Sequence, residues 1–134
     1  MIYLLSKILR EETNAALRSH GLTESSYMVL AILYGTPGET STASALGEAC
    51  QEKPANLTRI CDELAGRGLL VRQPCAGDRR LVMISLADPG RTLIELVLPE
   101  VSGKVATAFE GIDKTGMREL AELNLLVLGG LQRR

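Results

Sequence analysis

Metal-ligating side chains are scarce in this sequence. It has one histidine, His20, and three cysteines, Cys50, Cys61 and Cys75, which form no CxxC pair and leave an odd thiol. That count argues against a disulfide framework and against a zinc site. No run of about 18 apolar residues is present to span a bilayer, and there is no low-complexity tract. The apolar opening from Met1 to Leu9 is interrupted by Lys7, and Arg10, Glu11 and Glu12 follow it without a small-residue cleavage site. A secretory leader is therefore not expected, and the expected compartment is the cytoplasm, with no membrane partner. Paired carboxylates, a phosphate loop and a cysteine with a visible base partner are all missing too, so neither catalysis nor a cofactor is expected.

A strong charge of one sign is also lacking. The formal net charge is −1, which gives no whole-molecule signal for nucleic acid. The local picture differs. Residues 53–80 carry six basic side chains (Lys53, Arg59, Arg67, Arg72, Arg79, Arg80) against three acidic ones (Asp62, Glu63, Asp78), and the rest of the chain is correspondingly acidic.

What is present is the composition of one globular domain: 134 residues, 46% hydrophobic and 23% charged. Ile2, Leu5, Leu9 and Ala16 fall at helical spacing and predict a first helix that stops near His20-Gly21. Thr23 is a good N-cap for a second helix carrying Tyr27, Met28, Leu30, Ala31, Leu33 and Tyr34, which reads as largely buried. An alanine-rich helix from about Ser41 to Cys50 and another from Pro54 to Ala65 follow. Leu69–Gln73 and Leu81–Leu86 then read as a β-hairpin, with Val82, Ile84 and Leu86 facing the core and Gly77-Asp78-Arg79-Arg80 at the loop tip. Asp88-Pro89 supplies a cap and a first-turn proline for a long helix with Leu93, Val97, Val101, Val105 and Phe109 every four residues, which Pro99 should kink. Asp113 caps a last helix with an apolar stripe through Leu120, Leu123, Val127 and Leu131. The fold class is mainly α with a small β-hairpin wing: a winged helix-turn-helix over residues 23–86, flanked by helices over 1–20 and 88–134. The flanking helices carry more apolar surface than this small lobe can cover, which points to burial against a second copy.

Within the fourth helix Leu57, Ile60, Cys61 and Leu64 fall at i, i+3, i+4 and i+7 and form an inward stripe. Ala55, Arg59 and Asp62 lie opposite, flanked by Asn56 and Thr58, with Lys53 just before the helix. Arginine pairs bidentately with guanine, asparagine with adenine, and an alanine methyl can touch the thymine methyl. Arg59 is thus the leading base-reading candidate, although an exposed arginine tied only to Asp62 or Glu63 would look the same in sequence. The two arginines of the hairpin tip suit the phosphate backbone and the minor groove, with Asp78 available to orient one of them.

Asn56-Leu-Thr-Arg-Ile60, Asp62-Glu-Leu-Ala-Gly-Arg-Gly68, Gly77-Asp-Arg-Arg80 and Ile84-Ser-Leu-Ala-Asp-Pro-Gly90 together resemble the MarR family over nearly the whole chain. Thr58-Arg-Ile60, Asp62-Glu-Leu64 and Val97-Leu-Pro99 are most similar to its EmrR-type repressors of multidrug efflux operons. The resemblance implies a homodimer joined by its N- and C-terminal helices. It further implies recognition helices in successive major grooves of a pseudo-palindromic operator and wings in the flanking minor grooves. It also implies release of DNA by a small aromatic or anionic effector in a crevice for which His20, Tyr27 and Tyr34 are lining candidates, although an isolated tyrosine or histidine near a helix end is more often a packing residue. Pro54 and Ala55 depart from the polar or basic residues usual in relatives, and Asp88-Pro-Gly90 stands where Thr-Glu/Pro-Lys-Gly is common. Two other readings stay open on the residues alone. One is a winged-helix protein-interaction module, which suits the acidic overall charge. The other is an oxidant-sensing regulator using Cys50 or Cys75.

Overall fold

Thr23 and Ser26 decide where the first two helices separate. The Thr23 hydroxyl accepts from the Ser26 backbone N–H at 3.2 Å, and the Ser26 hydroxyl accepts from the Thr23 N–H at 2.9 Å, a reciprocal cap that starts a new helix. The structure, a computed structural model, describes residues 1–133, with the backbone alone at Arg79. Six helices and three strands follow in order: α1 (Ile2–Arg18), α2 (Glu24–Gly35), a 3-10 turn (Pro37–Glu39), β1 (Thr40–Thr42), α3 (Ala43–Cys50), α4 (Pro54–Gly66), β2 (Leu70–Cys75), β3 (Asp78–Leu86), α5 (Asp88–Ala108) and α6 (Lys114–Gln132). No helix among the described residues is long and apolar enough to cross a membrane.

The sheet has a strand that the periodicity does not reveal. Thr40–Thr42 pair antiparallel with Met83–Ser85, giving the order β1-β3-β2. This shortens the expected third helix: Ser41 is extended, and the Thr42 hydroxyl caps α3 by accepting from the Ala45 N–H at 3.1 Å. The hairpin is longer than expected at its far end. β2 continues through Pro74, tolerated because β2 is an edge strand, and β3 begins at Asp78, so that only Ala76-Gly77 turn the chain. Gly77, at φ +96°, supplies the left-handed conformation of that two-residue turn. Asp78, Arg79 and Arg80 therefore belong to a strand and not to a loop tip. Pairing jumps from Pro74↔Val82 to Cys75↔Asp78, a bulge confined to the β3 side of the wing.

The core lies between α2, α4, α5 and the base of the sheet. Val29, Leu30, Leu33, Leu46, Leu64, Ile84, Ile94 and Val97 are all fully buried there. α2 buries one face only, since Met28 and Tyr34 are about 40% exposed and the expected burial of the whole helix does not hold. Ile84 and Leu86 point inward as expected, whereas Val82 is 41% exposed because the wing has by then passed the edge of the core. In α5 the buried set is Gly90, Ile94, Val97 and Val101, Val105 is partly exposed, and Phe109 sits just past the helix end. Asp88 is the first helical residue and not the cap, a position filled by Ala87, and its carboxylate accepts from Arg91 at 2.6 Å. α5 continues through Pro99. Asp113 caps α6 as expected, accepting from the Gly116 N–H at 2.7 Å. None of the α6 residues is buried.

Arg91 also holds the 3-10 turn to α5. Its Nε donates to both Glu39 oxygens at 2.9 Å, and its Nη2 donates to Oε1 at 2.7 Å. The hydrogen bond from Arg91 lowers the Glu39 carboxyl below its ordinary value of 4.5. A carboxyl depressed by folding contributes stability above its unfolded pKa and loses it as pH falls through the folded one. The melting temperature of the parent is therefore expected to drop more steeply than that of Glu39→Gln as pH is lowered from 4.5. Parallel curves in an acid series of thermal melts would exclude this role.

Candidate nucleic-acid interface

The inward stripe of α4 is as the spacing predicts: Leu57 and Ile60 are 3% exposed, Cys61 1% and Leu64 0%. Packing this stripe fixes the opposite face outward. Lys53, Ala55, Thr58 and Arg59 are exposed and Asn56 is half-buried. Lys53 is the N-cap and Pro54 the first helical residue, where a missing N–H costs nothing. The Thr58 hydroxyl donates to the Pro54 carbonyl at 2.9 Å, which leaves its lone pairs directed outward as acceptors.

Arg59 is not tied to Asp62 or Glu63. Its Nη2 donates to Asn56 Oδ1 at 2.7 Å, while Asp62 forms an ion pair with Arg72 on β2. That pair braces the wing against α4. Arg67, at the end of α4, donates from Nη1 to the Gly21 carbonyl at 3.0 Å and from Nη2 to the His20 carbonyl at 3.1 Å. Two arginines of the basic cluster thus serve the fold. Lys53, Arg59 and Arg80, the remaining cations of the cluster whose side chains are described, are all exposed, and the side chain of Arg79 lies outside the described residues.

On the wing, the Arg80 side chain is 91% exposed, and its Nε lies 3.3 Å from Asp78 Oδ1. The same Asp78 oxygen accepts from the Arg80 backbone N–H at 3.0 Å. Asp78 orients the guanidinium, as the sequence leads one to expect. Between α3, the start of α4 and β3 lies an open groove of about 490 Å³. Leu57, Leu81 and Val82 line it, with Glu48, Glu52 and Arg80 supplying polar groups.

A second cavity, of about 260 Å³, opens between α1, α2 and α5 and is lined by Leu9, Arg10, Leu17, Glu24, Tyr27, Met28 and Val101 among others. Arg10 and Glu24, themselves paired at 3.4 Å, link α1 to the start of α2 beside it. Burial raises the Tyr27 phenol, so it stays a neutral donor near pH 7. Tyr27 is the one of the three aromatic-site candidates that lines this cavity. His20 instead pairs through Nε2 with Glu100 at 3.0 Å, and the Tyr34 hydroxyl donates to Glu95 at 3.4 Å, both partners lying on α5. Among the thiols, burial pushes Cys50 up to about 11, with Cys61 and Glu52 adding to the effect. Cys50 is therefore protonated at neutral pH and lacks the thiolate that an oxidant attacks. Cys61 is buried and raised by the same cause. Cys75 is half-buried, its Sγ 3.6 Å from the Ala76 carbonyl.

Sequence spacing misses the Asp62–Arg72 brace, the Glu39–Arg91 clamp and the hydrogen bonds that Ser25 and Asn56 donate to the Glu52 carboxylate. Only Glu52, four residues before Asn56, offered a local signal.

Residues 20–81 match the model of the MarR family. The chain is 27% identical over 132 residues to the transcriptional repressor MprA of Escherichia coli K12, spanning 98% of this chain and 74% of MprA. Its fold is similar to that of Sco3205 from Streptomyces coelicolor, a MarR family transcriptional regulator solved in complex with DNA (TM-score 0.87, 22% identity, 95% of this chain and 81% of that one). It is also similar to that of CouR from Rhodococcus jostii RHA1 bound to p-coumaroyl-CoA (TM-score 0.80, 24% identity, 94% and 87%).

Proposed function

We propose that the chain, residues 20–81 of which match the MarR family model, is a ligand-responsive repressor of the MarR type that binds a pseudo-palindromic operator as a homodimer. The observation that carries this reading is the outward face of α4, where Arg59 stands exposed over a buried stripe and beside a wing whose Arg80 is 91% exposed at its side chain. Arg59 reads a base edge in the major groove; Lys53, Ala55 and Thr58 contact its walls and phosphates. Arg79 and Arg80 on the wing follow the backbone into the minor groove. Two-fold symmetry sets the half-sites about one helical turn apart. Apolar side chains left outside by α1 and α6 form the dimer contact. A small aromatic or anionic effector enters the cavity beside Tyr27, where Arg10 offers a cation and Met28 and Leu9 an apolar floor. The regulator works in the cytoplasm.

A duplex selected by the protein from a random-sequence pool supplies the test. Arg59→Ala is expected to lower discrimination at one base pair per half-site by roughly 1–3 kcal/mol. Arg80→Ala weakens selected and random duplexes alike and flattens the salt dependence by about one charge. Small aromatic acids added to the same gel shift should release the duplex, and less so from Arg10→Ala. Unchanged footprints for both DNA-face variants would show that the reading surface lies elsewhere.

A further inference from the structure

We propose that Glu52, an acid at the edge of the DNA face, is a positioning residue that sets base specificity by fixing Asn56 and, through it, Arg59. This inference rests on the DNA-binding reading of α4. Three hydrogen bonds carry it. The Ser25 hydroxyl on α2 donates to Glu52 Oε1 at 2.9 Å, Asn56 Nδ2 donates to Glu52 Oε2, and Arg59 Nη2 donates to Asn56 Oδ1 at 2.7 Å. The chain of contacts runs from the fixed second helix to the tip of the reading side chain.

Its polarity admits one arrangement. A carboxylate can only accept and a guanidinium can only donate, so the amide between them must turn its nitrogen to Glu52 and its oxygen to Arg59. One N–H and one Oδ1 lone pair of the Asn56 amide are then committed to these partners, and Asn56 acts as a relay between Glu52 and Arg59. Arg59 gives up one of its five N–H donors and keeps a free edge for the two acceptors of guanine. Holding a long side chain in place before DNA arrives removes part of the ordering cost of binding.

The carboxylate has a second effect on the same ratio. Glu52 also lines the groove between α3, α4 and the wing, close to where phosphates pass under this reading. A negative charge there weakens contacts with any duplex, matched or not. Retaining it makes sense if it contributes more to the matched complex, through Arg59, than it removes by repulsion.

The test compares Glu52→Ala, Glu52→Gln, Asn56→Ala and the double variant Glu52→Ala/Arg59→Ala in the intact dimer. The probes are the duplex selected by the parent, the same duplex changed at the base pair that Arg59→Ala ceases to discriminate, and a random duplex. Glu52→Ala and Asn56→Ala are expected to lower discrimination at that pair by about tenfold, with Glu52→Ala binding random duplex slightly more tightly. Glutamine can accept from Asn56 with its oxygen and donate to Ser25 with its nitrogen, so Glu52→Gln is expected to stay within about threefold of the parent. In the Arg59→Ala background, removing Glu52 should cost no further discrimination. The proposal is overturned if Glu52→Ala keeps the parental ratio, if Glu52→Gln loses as much as Glu52→Ala, or if affinity falls equally on all three duplexes together with the melting temperature. A parent that selects no sequence from the pool would overturn the regulator reading itself.

Discussion

Leu123→Asp is expected to yield a folded monomer that no longer protects an operator. No residue of α6 is buried, and Leu123, Leu126 and Leu131 are each about 60–70% exposed. At the other end of the chain Ile2 and Tyr3 are close to 80% exposed and Leu5 51%. Apolar faces of this extent at both termini need a cover, and a second copy brings the same faces with it. A lone carboxylate placed in such an interface costs several kcal/mol. Because Leu123 is 60% exposed in the isolated chain, the helical signal and the melting of the lobe should be retained. Loss of the link between two half-sites then lowers operator affinity by about 10²- to 10⁴-fold. Sedimentation velocity and a titration of the selected duplex read both effects. A variant that still sediments as a dimer would place the subunit contact on another surface.

Gly90→Ala carries the second large effect, this time on stability. Gly90 is buried at the start of α5, and a Cβ there would run into the Leu69 carbonyl and Cδ1 of Leu86. The Leu69 oxygen is already held by the Ala87 N–H at 3.0 Å, so neither side can withdraw without breaking the junction between wing base and helix. Overpacking of this kind costs about 1–3 kcal/mol, and a backbone obstacle puts it at the upper end. The melting temperature is expected to fall by roughly 5–12 °C for a chain of this size. A fall of less than about 2 °C would mean that the junction relaxes freely.

Those two sites differ in how openly the sequence announces them. Leu123 stands in a stripe that can be counted, as do Leu57, Ile60, Cys61 and Leu64, because burial on one side of a helix imposes its period on the residues. The six helices and the orientation of α4 were legible for that reason. β1 was not: Thr40, Ser41 and Thr42 have no apolar alternation, and their extended state comes from pairing with Met83–Ser85, far away in sequence. The sequence implies too short a wing because Pro74 signals a turn anywhere except on an edge strand, which is where it sits. Val82 follows the alternation and is still exposed, since strand period gives a face but not how far the core extends beneath it. Glycine in Asp88-Pro-Gly90 looked like helix-start grammar, and its real constraint, a carbonyl pressed against its Cα, belongs to tertiary structure. The arginines show the same limit. Arg67 and Arg72 add to the basic count around α4, yet their guanidiniums are engaged by carbonyls and by Asp62, so fewer arginine N–H donors are free for a duplex than the sequence total.

The grip of Arg67 on the His20 and Gly21 carbonyls makes the trailing end of α4 a fulcrum. Arg59 lies about 12 Å along the helix from that point, at 1.5 Å per residue. Pivoting by about 10° around it would sweep the guanidinium through about 2 Å, enough to take a paired arginine out of hydrogen-bonding range of a base. A rotation of α4 about that anchor, too small to disturb the core, would thus arrive, magnified, at the end of the lever that carries Arg59.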